Sequence, residues 1–106
     1  MYYENISEDI EKMVKKERKA HGNIPLFNSN HEAVAVLKEE IDEAVEDVQR
    51  VIYRYDDVWD CVKKDKTCKS AVKEIKKFAE YAVAELIQVI AMCEKFIESE
   101  EKRSAK

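Results

Sequence analysis

The sequence predicts an all-α protein built on a long antiparallel helical hairpin, with a short helix before it. Three observations lead to this prediction. The 106 residues include one glycine and one proline, too few for the many turns of a strand-rich domain. Hydrophobic residues make up 45% and charged residues 40% of the chain, which suits helices with one buried and one solvated face. Apolar residues also recur every three or four positions through two long stretches.

Length and charge limit the organisation and the function classes. We expect one domain over residues 1–100 and a frayed, polar tail over residues 101–106. The net charge is −4 and no basic face is evident, which argues against nucleic-acid binding. Three cysteines without CxxC spacing argue against a disulfide framework or a zinc site and favour the cytoplasm. The most apolar stretch, residues 78–93, is too short to span a membrane.

The first helix is predicted to begin at Ser7, an N-cap residue followed by two acids, and to end at Gly22. Its apolar positions are sparse, so we expect a short amphipathic element that packs on something larger. A loop with Pro25 follows. Ser29 and Glu32 have the spacing of a capping box, which predicts that the second helix begins there.

The second and third helices have the same apolar rhythm. Spacings of four and three alternate, as in a heptad seam, at Leu37, Ile41, Ala44, Val48, Val51, Tyr55, Val58 and Val62. The third helix repeats this rhythm at Cys68, Val72, Ile75, Ala79, Ala82, Leu86, Val89 and Cys93. A polar run separates the two, which predicts a hairpin turn near residue 66. A bend or break at Tyr53–Asp57, whose residues are mediocre helix formers, is the alternative.

The third helix is also apolar outside its seam, at Val83, Ile87 and Ile90. One chain of three helices can hardly cover this second surface. We therefore expect a homo-oligomer, either a dimer or a dimer of dimers, whose subunits together complete a four-helix-bundle-type core.

Acidic residues of the two long helices are predicted to meet. At about 100° per residue, Glu40, Glu43 and Asp47 form a stripe beside the seam, and the hairpin brings Glu85 to a similar height on the same side. Glu85 lies among apolar residues, with no lysine or arginine one turn away. Clustered carboxylates repel unless a cation neutralises them or one holds a proton, and Mg²⁺ suits such a site. The alternative is a solvated acidic helix face.

Two motifs at these residues resemble a family. Glu39-Glu40-Ile41-Asp42-Glu43 matches the EExxE motif of the MazG-like all-α nucleoside triphosphate pyrophosphohydrolases, relatives of the dimeric dUTPases and of phosphoribosyl-ATP pyrophosphohydrolase. Glu85-Leu86-Ile87-Gln88 lies where that family has a downstream ExxD. His31-Glu32-Ala33 is similar to the helix entry of short phage-type members. The resemblance covers roughly residues 30 to 97. It departs from the family at Gln88, which replaces an aspartate, and in a longer stretch between the motifs.

The resemblance implies a hydrolase that converts a nucleoside triphosphate to the monophosphate and pyrophosphate with Mg²⁺ or Mn²⁺. It makes Glu40, Glu43 and Glu85 the metal ligands and puts Gln88 at the fourth ligand position. Glu39 or Asp47 would position or deprotonate the attacking water. The alternative is a degenerate relative that keeps the helical assembly but has lost the chemistry.

Three aromatic residues near the hairpin turn could stack on a nucleobase, although a place in the core or at an interface is the more usual role for such a pattern. They are Tyr53, Tyr55 and Trp59.

Overall fold

A computed structural model describes residues 2–20 and 26–104 and is helical through most of them. Its helices are α1 at Tyr2–Ala20, α2 at Asn30–Lys63 and α3 at Lys69–Ser104, and the described part of the chain has no strand. The all-α fold class is therefore confirmed. None of these helices contains a stretch long and apolar enough to cross a lipid bilayer.

The chain divides into two compact units. Unit 1 consists of Met1–Glu40 and Leu86–Lys106, and unit 2 consists of Ile41–Glu85. Both α2 and α3 continue without a break from one unit into the other. The single domain expected over residues 1–100 stays a prediction.

Unit 1 has a small apolar core, and hydrogen bonds join the segment before α2 to α3 beside it. Its buried apolar side chains are Val14, Phe27, Ala33 and Ala91. The Phe27 ring meets the Phe96 ring edge to face, with the centroids 6.5 Å apart. The backbone N–H of Phe27 donates to Ser99 Oγ at 2.9 Å, and Arg103 Nη1 donates to the Phe27 carbonyl at 3.0 Å. The segment that precedes α2 is thus fastened to the end of α3.

Unit 2 is the helical hairpin, and its turn is a helix cap of the Schellman type. The N–H of Lys66 donates to the Cys61 carbonyl at 2.9 Å, and the N–H of Asp65 donates to the Val62 carbonyl at 3.1 Å. Asp65 has φ of 53°, in the left-handed region, which aspartate tolerates better than most residues other than glycine. The turn expected near residue 66 is confirmed.

The ends of the helices differ from the expectations in two places. α1 begins at Tyr2, so the predicted start at Ser7 was wrong. The Ser7 hydroxyl donates to the Glu4 carbonyl inside the helix, and Glu4 in the first turn suits the positive end of the helix dipole. The predicted end at Gly22 lies outside the described residues. α3 continues to Ser104 and so includes residues 101–104 of the expected tail.

The predictions for the start and the interior of α2 can both be compared with the structure. The N–H of Glu32 donates to Ser29 Oγ at 3.1 Å, which confirms the predicted N-cap. Residues 53–57 are helical, so the expected continuous helix is confirmed and the alternative of a break there is wrong. Isolated propensities of a few residues are overridden inside a helix of 34 residues that packs along one side.

The predicted seam of α2 divides into two rows. Every second member is buried or half-buried, namely Leu37, Ala44, Val51 and Val58. The members between them are exposed, namely Ile41, Val48, Tyr55 and Val62. The apolar surface of α2 is therefore wider than the side of the helix that is buried. Asp47, a polar residue, also takes one of the buried positions.

Candidate functional site

Three of the predicted ligands converge. One carboxylate oxygen from each of Glu40, Glu43 and Glu85 lies within 4.8 Å of the others. Glu43 and Glu85 come from the two arms of the unit 2 hairpin, and Glu40 is one turn before Glu43 on the continuous helix α2. Glu43 is exposed, whereas Glu40 and Glu85 are half-buried. The spacing of three along α2 puts both of its carboxylates on one side of the helix.

The spread of these oxygens suits one divalent cation. Octahedral Mg²⁺ binds oxygens at about 2.1 Å, so two opposed ligands lie about 4.2 Å apart. A spread of 4.8 Å exceeds this by about half an ångström, which side-chain rotation of three glutamates can remove. Carboxylate oxygens are also the donors that Mg²⁺ and Mn²⁺ prefer. The residues present therefore fit the expected ion.

A cavity of about 290 Å³ opens beside this cluster within unit 2. Its lining includes Glu43, Glu46, Asp47, Arg50, Tyr81, Ala84 and Glu85. Carboxylates dominate the lining, and among the described residues Arg50 is the one basic side chain in it. A small polyanion that brings its own cations could enter such a cavity, because the cations would bridge its charges and those of the glutamates.

Asp47 is held firmly at the edge of this cavity. The residue is 7% exposed, and its Oδ1 accepts a hydrogen bond from Arg50 Nη1 at 2.9 Å. This hydrogen bond to a guanidinium group fixes the direction of the Asp47 carboxylate. Glu39, the other residue expected to handle the water, is exposed on α2 and is not in the cavity lining.

The fourth predicted ligand has a partner of its own. Gln88 is half-buried in unit 1, and its Nε2 donates to Glu17 Oε1 of α1 at 2.5 Å. This hydrogen bond leaves the amide oxygen of Gln88 as the atom that could ligate a cation. Ligation by Gln88 stays a prediction.

No protein-family model, curated protein or solved structure matches this chain. The likeness to MazG-like enzymes therefore remains a resemblance that the two acidic motifs carry. The geometry of the site is therefore the basis for inferring a function.

The sequence reasoning missed the basic and aromatic residues near the cluster. The residues concerned are Arg50, Arg54 and Phe78, none of which the motifs include. A signal was nevertheless present, because each arginine lies three residues from an aspartate, which is the spacing of a helical ion pair: Asp47 for Arg50, and Asp57 for Arg54.

Proposed function

We propose that this protein is a nucleoside triphosphate pyrophosphohydrolase of the MazG-like type that depends on Mg²⁺ or Mn²⁺. The observation that supports it best is the convergence of Glu40, Glu43 and Glu85 at a spacing that suits one cation. The adjoining cavity, lined largely by carboxylates, has room for a metal-bound polyphosphate beside them. A solvated acidic face, the alternative, requires neither this convergence of three carboxylates nor the half-burial of Glu40 and Glu85.

The roles of the side chains follow from their positions. The three glutamates hold the cation, which when bound neutralises phosphate charge and makes a nearby water more acidic. Asp47 accepts the proton of the water that hydrolyses the α–β phosphoanhydride, and Arg50 keeps that carboxylate pointed at the cavity. The resemblance gives Glu39, which is exposed next to Glu40 on α2, a supporting role at the cluster. The products are the nucleoside monophosphate and pyrophosphate.

We also propose that the protein is a homodimer whose subunits pair their unit 2 hairpins into a four-helix bundle. The support is a row of exposed apolar side chains along α2, which we call the apolar row: Ile41, Val45, Val48, Ile52, Tyr55, Trp59 and Val62. Its spacings alternate between four and three throughout, which is the pattern of a helix that packs against another helix. A second copy supplies a row of the same length and period.

The apolar row and the acidic cluster lie on different sides of the hairpin. Val48 is about 140° from Glu43 around α2, and Val83 is about 160° from Glu85 around α3. Val83 is exposed too, and so extends the apolar side onto α3. A dimer formed through this side would leave the cation site open to solvent.

One observation favours a second candidate, a degenerate relative that assembles without catalysing. Gln88 stands where the resembled family has an aspartate, and its amide is engaged with Glu17. A site with three carboxylates and no fourth binds a divalent cation more weakly. Metal binding is therefore the measurement that separates the two candidates.

The first test is calorimetric titration of the protein with Mg²⁺ and with Mn²⁺. We expect saturable binding of one ion per chain, which Glu43→Gln weakens by about 100-fold or more because it removes a charged ligand. Glu80→Gln is the matched control, since Glu80 is an exposed helical glutamate that pairs with Lys76 away from the cluster. The enzyme proposal fails if no ion binds at millimolar concentration, with or without nucleotide.

The second test is pyrophosphate release from a panel of common and damaged nucleoside triphosphates. Release should require the cation and should be lost in Glu43→Gln while the circular dichroism of the helices is unchanged. Cation binding without release from any nucleotide would favour the degenerate relative instead.

A further inference from the structure

A second and larger cavity of about 470 Å³ lies in unit 2, nearer the hairpin turn. Its lining includes Arg50, Tyr53, Arg54, Asp56, Asp57 and Phe78. Arg50 also lines the smaller cavity beside the acidic cluster, so the two cavities adjoin at this side chain. The volume is that of a site for a small organic ligand. The proposed chemistry at the glutamates makes no use of this space.

The cavity holds two guanidinium groups against one aromatic ring. The central carbons of Arg50 and Arg54 lie 5.9 and 5.8 Å from the centroid of the Phe78 ring. Each arginine also pairs through Nη1 with an aspartate, Arg50 with Asp47 and Arg54 with Asp57. These contacts orient both groups before any ligand arrives. An arginine has five N–H donors, so each can still grip an anion with donors that these ion pairs do not use.

The same cavity offers a flat apolar surface. Tyr53 is 71% exposed and lines the cavity, so the face of its ring is accessible to a ligand. Aromatic faces bind nucleobases by stacking with little dependence on the base. Guanidinium groups bind phosphate oxygens through paired N–H donors. A nucleoside phosphate has both a phosphate for the guanidinium groups to bind and a base to stack on the aromatic ring.

We propose that this cavity binds the nucleoside monophosphate part of the substrate, an assignment that rests on the proposed function. The base stacks on Tyr53, and Arg54 and Arg50, which lie over the Phe78 ring, contact the phosphate next to the sugar. Arg50 is seven residues after Glu43, about 10 Å along α2, so a nucleotide can extend from this cavity to the cation at the glutamates. The polyphosphate then lies in the smaller cavity and the nucleoside in the larger one.

Binding without a cation tests the assignment directly. Nucleoside 5′-monophosphates of the common bases are titrated into the protein in excess EDTA and followed by calorimetry and by amide NMR shifts. We expect at least one to saturate the protein and to shift residues 50–57 and 78. Ribose 5-phosphate lacks the base, and the free nucleoside lacks the phosphate. Each should therefore bind more weakly than the monophosphate.

Two variants and their controls locate the ligand. Tyr53→Ala should weaken monophosphate binding by about 5- to 100-fold through lost stacking, and Arg54→Gln should weaken it by about tenfold or more. Tyr3→Ala is the control for the first, since Tyr3 is 67% exposed on α1. Lys76→Gln is the control for the second, since Lys76 is an exposed helical cation that also pairs with a carboxylate, that of Glu80. Both controls should bind within about twofold of the parent protein.

The outcomes separate this inference from the proposed function. If no monophosphate binds in EDTA, or if Tyr53→Ala and Arg54→Gln bind as tightly as their controls, the inference is overturned even where pyrophosphate release is present. If monophosphates bind to the parent protein and bind more weakly to Tyr53→Ala and Arg54→Gln, the inference stands. It stands even where no cation-dependent release of pyrophosphate is found. Glu43→Gln should keep its monophosphate affinity in EDTA, because the glutamates contact the cation and not the nucleoside; a loss there would overturn the separation into two cavities.

Discussion

Arg18 links α1 to α3 within unit 1 through a two-pronged ion pair. Its Nη1 and Nη2 donate to the two carboxylate oxygens of Glu98 at 2.7 and 2.8 Å, and Nη1 also reaches Glu94 at 3.3 Å. Paired N–H donors in this geometry make the strong form of the arginine–carboxylate contact. The hydrogen bonds from Arg18 lower the pKa of Glu98, and those from Glu98 raise the pKa of Arg18.

This ion pair predicts a dependence of stability on pH. Because the pKa of Glu98 is lowered in the folded state, the charged carboxylate stabilises the fold above its ordinary pKa of 4.5. That contribution is lost as the pH falls through the lower pKa of the folded state. Glu98→Gln should therefore lower the melting temperature at neutral pH and make little difference in acid. The side chain of Glu98 is 45% exposed, so we expect less than about 1 kcal/mol, or a few degrees.

Thermal melts of both proteins from pH 7 down to pH 2 measure this difference. Glu101→Gln, an exposed neighbour on the same helix, is the control and should follow the parent protein. A difference that stays constant across the whole pH range would mean that the ion pair is not what stabilises α1 against α3.

Gln88 shows which contacts of single residues could not be predicted from the sequence. Helical period and hairpin register were enough to bring Glu43 to Glu85, since both depend only on spacing along α2 and α3. The partner of Gln88 is Glu17 on α1, and the sparse apolar pattern of α1 contains no information on its register against α3. Long-range polar contacts of a short helix therefore escaped the prediction.

At the scale of the elements, the start of α2 is set by its cap. Ser29 Oγ accepts from the N–H of Glu32, and the Ser29 carbonyl accepts from the N–H of Ala33 at 3.1 Å. Removing the hydroxyl leaves an N–H in the first turn without this acceptor. We expect Ser29→Ala to destabilise the protein by about 1 kcal/mol in urea denaturation.

Ser7→Ala is the matched control for this cap. Ser7 lies inside α1, where its hydroxyl only returns to the Glu4 carbonyl, and alanine has the higher helix propensity. This control should leave the stability unchanged or slightly raised. Equal losses in the two variants would show that Ser29 has no capping role beyond that of any helical serine.

The long helices were predictable as elements, but their packing was predictable only in part. Ala44 and Ala82 are buried as their rhythm required, while Val48 and Leu86, on the same predicted seams, are exposed. A heptad pattern states that a helix has an apolar side about two rows wide. Both rows have the same period. The pattern therefore does not predict which row packs against the other arm of the hairpin and which row stays exposed.

At the scale of the whole molecule, the unit 2 hairpin has two unlike sides. One side has the carboxylates and arginines that line the two cavities, and the other has the apolar row on α2. A row of seven large apolar side chains on the surface of one chain is the usual mark of a surface that meets another protein. The charged residues beside the row also suit a second copy. Asp42 flanks its beginning and Lys63 its end, so an antiparallel pair would set opposite charges together.

The dimer is tested by placing a charge in the middle of the apolar row. Ile52 is 60% exposed in the single chain, so Ile52→Glu should cost the isolated chain little, whereas in the proposed dimer it would bury an unpaired carboxylate. We expect light scattering after size-exclusion chromatography to give about twice the chain mass of 12.4 kDa for the parent protein and a single chain for Ile52→Glu. The melting temperature of the parent should also rise with protein concentration, because dissociation accompanies unfolding, and that of Ile52→Glu should not. Met13→Glu, which alters an exposed apolar residue on α1 instead, should remain a dimer. A parent protein that is monomeric at roughly 100 μM would contradict the proposal, since a seam of seven apolar positions should hold two chains together well below that concentration.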